Sequence, residues 1–202
     1  NLDVKELKAK SPMLKAEPVV NLSVKIVTDK VERLLATMKA PGNDLTIEGS
    51  VTSFTRPKVD LKVTSSSLDL DQLVKMPPLG KSDKAAHAAP ESGVAGGKAA
   101  PANFDAMLDP LRKNSVAKAT TLFASVNMKM IQFYGVKMTD FVAKLSMRDL
   151  TFVVDSLGFN LWNGTIGMKA KVALAPKTPT YTFSASVANL DLRKAVASQF
   201  AT

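Results

Sequence analysis

Five places in the chain carry residue types that could do chemistry. Ser115-Val116-Ala117-Lys118 has the S-x-x-K spacing in which a lysine amine takes the proton of a serine nucleophile. No S-D-N or K-T-G triplet follows it, and the tetrapeptide is common, so exposed polar residues at a helix end explain it better. Asp69 and Asp71 in Leu-Asp-Leu-Asp offer two carboxylates. No third and fourth oxygen ligand follows at calcium-loop spacing, and helix capping is their expected role. His87, the only histidine, lies in an Ala-, Gly- and Pro-rich stretch and is expected to be neither catalyst nor ligand. Asn163-Gly164-Thr165 and Asn21-Leu22-Ser23 fit the glycosylation pattern, although Asn-Gly more simply makes a tight turn. With no cysteine, disulfides and thiolate chemistry are excluded. The chain therefore reads as a non-enzyme, without catalytic residues, metal ligands or cofactor.

The formal charge of +9, from 27 Lys and Arg against 18 Asp and Glu, suggests polyanions or anionic head groups as partners. The basic residues form no dense run and are not interleaved with aromatics, so nucleic acid is not an expected partner. Lysines spread over strand faces also keep a β-protein soluble. No apolar run approaches the ~20 residues that a membrane-spanning helix needs. Starting at Asn1, the chain reads as a fragment, with any anchor or export signal outside it.

Period-two alternation dominates the rest. Val126, Met128 and Met130 share one face of their segment, with Asn127 and Lys129 on the other. Leu145 and Met147 continue Phe141 and Ala143 against Lys144, Ser146 and Arg148. Ile166, Met168, Ala170, Val172 and Leu174 oppose Lys169 and Lys171. Tyr181, Phe183, Ala185 and Val187 oppose Thr182, Ser184 and Ser186. Near the start, Val20, Leu22, Val24 and Ile26 fall together. Strands apolar on one side only predict a mainly β, antiparallel sheet with one solvated face.

Residues 76–102 break this pattern with Ala, Gly, Pro, Ser and Lys, which predicts a flexible low-complexity linker. It separates a β-rich unit over 1–75 from a helix and second β-rich unit over 103–202. The halves are similar: Pro179 stands 122 residues after Pro57, and Leu190-Asp191-Leu192 stand 122 after Leu68-Asp69-Leu70. Alternating segments at 44–51 and 164–174 precede the two prolines, so a shared strand–turn–strand–helix unit is expected. Chance convergence of two amphipathic hairpins is the plain alternative. One amphipathic helix is predicted over 103–118, capped by Asn103 and kinked or restarted at Pro110, with short helices after each Leu-Asp-Leu.

Two or three short helices cannot cover eight to ten strands of ordinary length. The apolar face then either closes against a second sheet as a dry core or stays open on a curved, groove-like sheet that takes acyl chains. An envelope-assembly module with a closed core and a partner-binding edge remains the other reading.

The segment Phe159-Asn160-Leu161-Trp162-Asn163-Gly164 through Leu190-Asp191-Leu192 resembles the C-terminal part of the AsmA family of envelope proteins. An aromatic-Gly turn, a strand with Gly167, a Pro-rich turn and a strand leaving through hydrophobic-Asp-Leu carry the likeness, with Asn163 where the family usually has the first glycine. The resemblance covers about residues 120–200. It implies a Gram-negative periplasmic domain, anchored to the inner membrane by a segment outside this chain. It also implies a repeated β-groove that binds phospholipid acyl chains and serves lipid transport and outer-membrane homeostasis, with envelope proteins as possible partners. The face expected to hold lipid comprises Val126, Met128, Met130, Leu145, Met147, Ile166, Met168, Val172, Leu174, Tyr181, Phe183 and Val187.

Overall fold

The computed structural model describes residues 1–75 and 102–193, with backbone alone for 102–107. The strands form one curved, 11-stranded sheet. Its order is β1 (Leu2–Lys8), β2 (Val19–Val27), β3 (Lys30–Ala40), β4 (Asn43–Thr52), β5 (Lys58–Ser65), β7 (Thr121–Phe133), β8 (Val136–Arg148), β9 (Thr151–Leu161), β10 (Gly164–Ala173) and β11 (Thr180–Ala188). The short β6 (Leu68–Asp69) pairs with the far end of β7. All neighbours run antiparallel except β5 and β6, which lie parallel to β7. Two meanders thus share one sheet, joined at the parallel β5–β7 pair.

Tight hairpins set the meander. Tyr134 and Gly135 both have positive φ (49° and 72°), as a two-residue turn between twisted strands requires. The β9–β10 hairpin turns one residue earlier than Asn163-Gly164 suggested. Trp162 and Asn163 carry positive φ (46° and 63°), and Gly164 opens β10. Packing explains the glycine. A Cβ there would meet the Ala188 carbonyl at 2.7 Å and the Leu190 backbone at 2.8 Å, where the chain leaving β11 crosses the start of β10.

The helices depart from expectation. In place of one helix over 103–118 there are α2 (Ala102–Lys113) and α3 (Ser115–Ala119), so Asn103 lies inside α2 and does not cap it. Pro110 is accommodated within α2, and Asn114 makes the break. Its backbone is extended (φ −76°, ψ 114°) and its side chain accepts the Ala117 N–H at 3.0 Å, starting α3. α2 also takes Ala102 from the expected linker; the rest of that linker, with His87, lies outside the described residues. After the first Leu-Asp-Leu the expected helix is present as α1 (Leu70–Leu73), capped by Asp69, which accepts the Gln72 N–H at 3.0 Å. After the second, only Leu192 and Arg193 of a helical turn are described.

α1 and the residues after it form a strap across one end of the sheet. The Asp71 carboxylate accepts the N–H groups of Tyr134 (2.6 Å) and Gly135 (2.7 Å) in the β7–β8 turn. Toward β1 and β2, the Lys15 N–H donates to the Leu73 carbonyl and the Lys75 N–H to the Met13 carbonyl. At the opposite end, Arg112 of α2 donates to the carbonyls of Leu174 (2.8 Å) and Lys177 (3.1 Å).

Candidate functional site

Pairing register decides which side chains share a face. Across the parallel junction Val59, Leu61 and Val63 stand opposite Leu122, Ala124 and Val126. Those are followed by Met147, Leu145 and Ala143, with Phe141 opposite Met128. Phe152, Val154 and Leu157 come next, then Val172, Ala170 and Met168. Tyr181, Phe183 and Ala185 complete that side. In the other direction Val51, Gly49 and Ile47 lead to Val31, Leu34 and Ala36. The row continues through Ile26, Val24 and Leu22 to Leu2 and Val4 at the edge. One apolar face therefore runs from β1 to β11.

All the residues expected to line that face within strands are on it. Val126, Met128 and Met130 come from β7, Leu145 and Met147 from β8, Ile166, Met168 and Val172 from β10, and Tyr181, Phe183 and Val187 from β11. Leu174 follows β10, its N–H bonded to the Leu150 carbonyl at 2.9 Å. Residues on β7, β8 and β10 are half-buried, whereas Tyr181 is 71% exposed on the edge strand. The sequence reading named only the second-half strands as this surface. Val59, Leu61 and Val63 belong to it equally, and so does the stacked pair Phe141–Phe159, with ring centroids 6.0 Å apart. The alternation in 58–63 is the signal that points to the β5 residues.

No second sheet covers this face among the described residues. Only Leu73, Leu108, Ala143 and Leu150 are buried apolar side chains there, and of these only Ala143 belongs to a strand. A sheet closed on a dry core would bury whole rows.

The reverse face is polar and cross-linked. Lys129 approaches Asp140 (3.9 Å), Asn160 donates to Asp140 (3.2 Å), and Thr165 donates to Asn160 (3.2 Å), linking β7 to β10. Lys62 pairs with Glu48 at 3.3 Å. An open hollow of about 550 Å³ lies on this face, rimmed by Glu48, Asp60, Lys62, Phe123, Lys144 and Asp155. A smaller one between Asp155, Lys169, Lys171 and Ser184 is on the same side. The apolar side is thus a continuous surface, while these hollows sit among charged side chains.

Ser115 and Lys118 lie on the five-residue α3, and Asp69 and Asp71 are absorbed in the cap and strap. Among the described residues no cluster of His, Asp or Glu could hold a metal ion. At Asp44 burial pushes the carboxyl up. Hydrogen bonds from the Ser66 hydroxyl and N–H and the Ser67 N–H, with the Lys39 charge, outweigh it and hold the pKa below the usual carboxylate value. No protein-family model, curated protein or solved structure matches the chain.

Proposed function

We propose that the protein is a non-catalytic lipid-holding domain whose apolar sheet face carries acyl chains while head groups stay in water. One observation carries this: the apolar face spans the sheet from β1 to β11, and the described residues supply no second layer for it. Soluble monomers ordinarily expose contiguous apolar patches of only a few hundred Å², whereas this face crosses every strand of the main sheet path. Each CH₂ removed from water contributes roughly 0.8 kcal/mol, non-directionally, so a chain is held without a fixed seat and can slide along the rows. Met128, Met130, Met147 and Met168 adapt to varied chains. The resemblance to AsmA proteins supports a periplasmic setting, a membrane anchor outside this chain and a part in phospholipid transport for the outer membrane.

The sheet reads as one five-strand unit duplicated. β3 and β9 have 11 residues each, β4 and β10 have 10 each, and the turns between them fall at Pro41-Gly42 and Trp162-Asn163. With those two pairs matched, the 122-residue spacing and the strand order make β5 the counterpart of β11, and β1 that of the longer β7.

Native mass spectrometry with lipid extraction, on the chain purified from bacterial envelopes, tests the reading. Phospholipid should co-purify with the wild type and be lost from Met168→Asp/Val172→Asp at unchanged circular dichroism. A folded, lipid-free wild type that also ignores added phospholipid vesicles refutes it, leaving a structural module.

A further inference from the structure

We propose that the polar face of β8–β11 docks on the surface of an anionic phospholipid bilayer through Lys144, Arg148, Lys169 and Lys171. The inference stands apart from the lipid-holding reading, which concerns the opposite, apolar face. Pairing register lines up the contact surface. Lys144 stands between Ser125 on β7 and Ser156 on β9. Past the bulge at Asp155-Ser156, Lys169 stands opposite Ser184 and Lys171 opposite Thr182. All four cations are exposed.

These cations differ from others on the polar side. Lys25 lies 2.5 Å from Glu32, Lys58 3.9 Å from Asp60, Lys62 3.3 Å from Glu48 and Lys129 3.9 Å from Asp140. Among the described residues no carboxylate forms an ion pair with Lys144, Arg148, Lys169 or Lys171. Asp155 is set among them and accepts the Ser146 hydroxyl at 2.9 Å. Asp140, farther along β8, is taken up by Lys129 and Asn160. β11 carries no charge. The patch is therefore a field of positive charge, broken only by Asp155.

Its chemistry suits a charged surface better than a single ligand. Three of the four cations are lysines, point charges on flexible stems, without the rigid fork that grips one carboxylate or phosphate. Lys144 and Lys169 stand two strands apart, roughly 10 Å, and Lys169 and Lys171 are about 7 Å apart along β10. Beside them Gly158 faces Gly167, leaving backbone without side chains between β9 and β10. The hollow of about 340 Å³ bordered by Lys169, Lys171, Thr182 and Ser184 gives a head-group phosphate amines and hydroxyls to meet. The polar positions of β8–β11 hold no aromatic ring on which a nucleic-acid base could stack. Each Lys or Arg near an anionic leaflet raises affinity about fivefold, an attraction that fades within a Debye length.

Vesicle co-sedimentation of the whole chain tests this. Vesicles of phosphatidylglycerol and phosphatidylcholine in equal parts should bind the wild type at least about tenfold more tightly than phosphatidylcholine alone, and about 0.5 M salt should remove the difference. Lys144→Gln/Lys169→Gln/Lys171→Gln should weaken binding about a hundredfold. Lys25→Gln/Lys58→Gln/Lys62→Gln removes the same charge elsewhere and should cost less than about fivefold, while Asp155→Asn should tighten binding about fivefold. Equal losses in the two triple variants overturn the proposal, because net charge alone then drives binding. Equal binding to the two kinds of vesicle overturns it as well. Polyglutamate held more tightly than the vesicles, and lost in the Lys144 triple variant, also overturns it: the partner is then an acidic chain. That variant should keep the wild-type circular dichroism and the rise in melting temperature with lysophosphatidylcholine, a zwitterionic single-chain lipid. Anionic vesicle binding by a wild type that shows no such rise leaves this proposal standing and removes the lipid-holding one. A rise without preference for the anionic vesicles does the reverse.

Discussion

Asp44 shows how much of the sheet's end rests on single polar side chains. The Ser66 N–H lies 3.1 Å from each of its carboxylate oxygens and the Ser67 N–H lies 3.0 Å from one, fixing the chain where it leaves β5 against the start of β4. Those bonds exist for the charged form, so the folded-state pKa is depressed. A depressed carboxylate contributes stability that is complete above the unfolded value, near 3.9, and is lost as pH falls through the lower folded value. Asp44→Asn should therefore flatten the pH dependence of stability below about pH 4 and cost about 1–2 kcal/mol at pH 7, read by urea unfolding from pH 2 to 7. An unchanged acid limb would remove Asp44 from the account. At the other end of the sheet Leu150 has φ of 55° and is only 1% exposed. A bulky residue keeps that backbone region only where its surroundings impose it.

Among the elements, β2, β7, β8, β10 and β11 were legible in the sequence, while β1, β3 and β9 were not. The reason is specific. Each of the three skips from one apolar-face residue to another three positions on, Val4 to Leu7, Val31 to Leu34 and Val154 to Leu157, where a bulge shifts the register. A jump of three destroys period two, and in β3 it mimics helical spacing. The strap was invisible for another reason. Asp71 reads as a second cap residue, and its partners, the Tyr134 and Gly135 N–H groups, are over 60 residues away. These are hydrogen bonds to a charged group, so Asp71→Ala should cost about 2 kcal/mol and lower the urea midpoint, with faster amide exchange at the β7–β8 turn. A loss under about 0.5 kcal/mol would mean that the strap is held by Leu73 and its backbone bonds instead.

For the whole molecule, the apolar face was legible because register merely aligns patterns that each strand already carries. That nothing in the described residues covers the face was not legible, because an inner row of a closed core has the same alternation. An open single sheet also has a thermodynamic consequence. A ligand that binds the folded face and not the unfolded chain raises stability by about 2.7 kcal/mol at one hundred times its dissociation constant. For a chain of 202 residues that corresponds to a rise in melting temperature of about 5–10 °C. A lysophospholipid kept below its critical micelle concentration, which presents one acyl chain and forms no vesicle, should produce this shift in scanning calorimetry. The rise should lengthen with the chain, since each added CH₂ contributes roughly 0.8 kcal/mol to binding until the rows are filled. Met168→Asp/Val172→Asp, which places two charges on the apolar face of β10, should abolish the shift while melting as one transition. A wild-type midpoint insensitive to acyl length would mean that the face is occupied or closed in solution, and would count against lipid as its cargo.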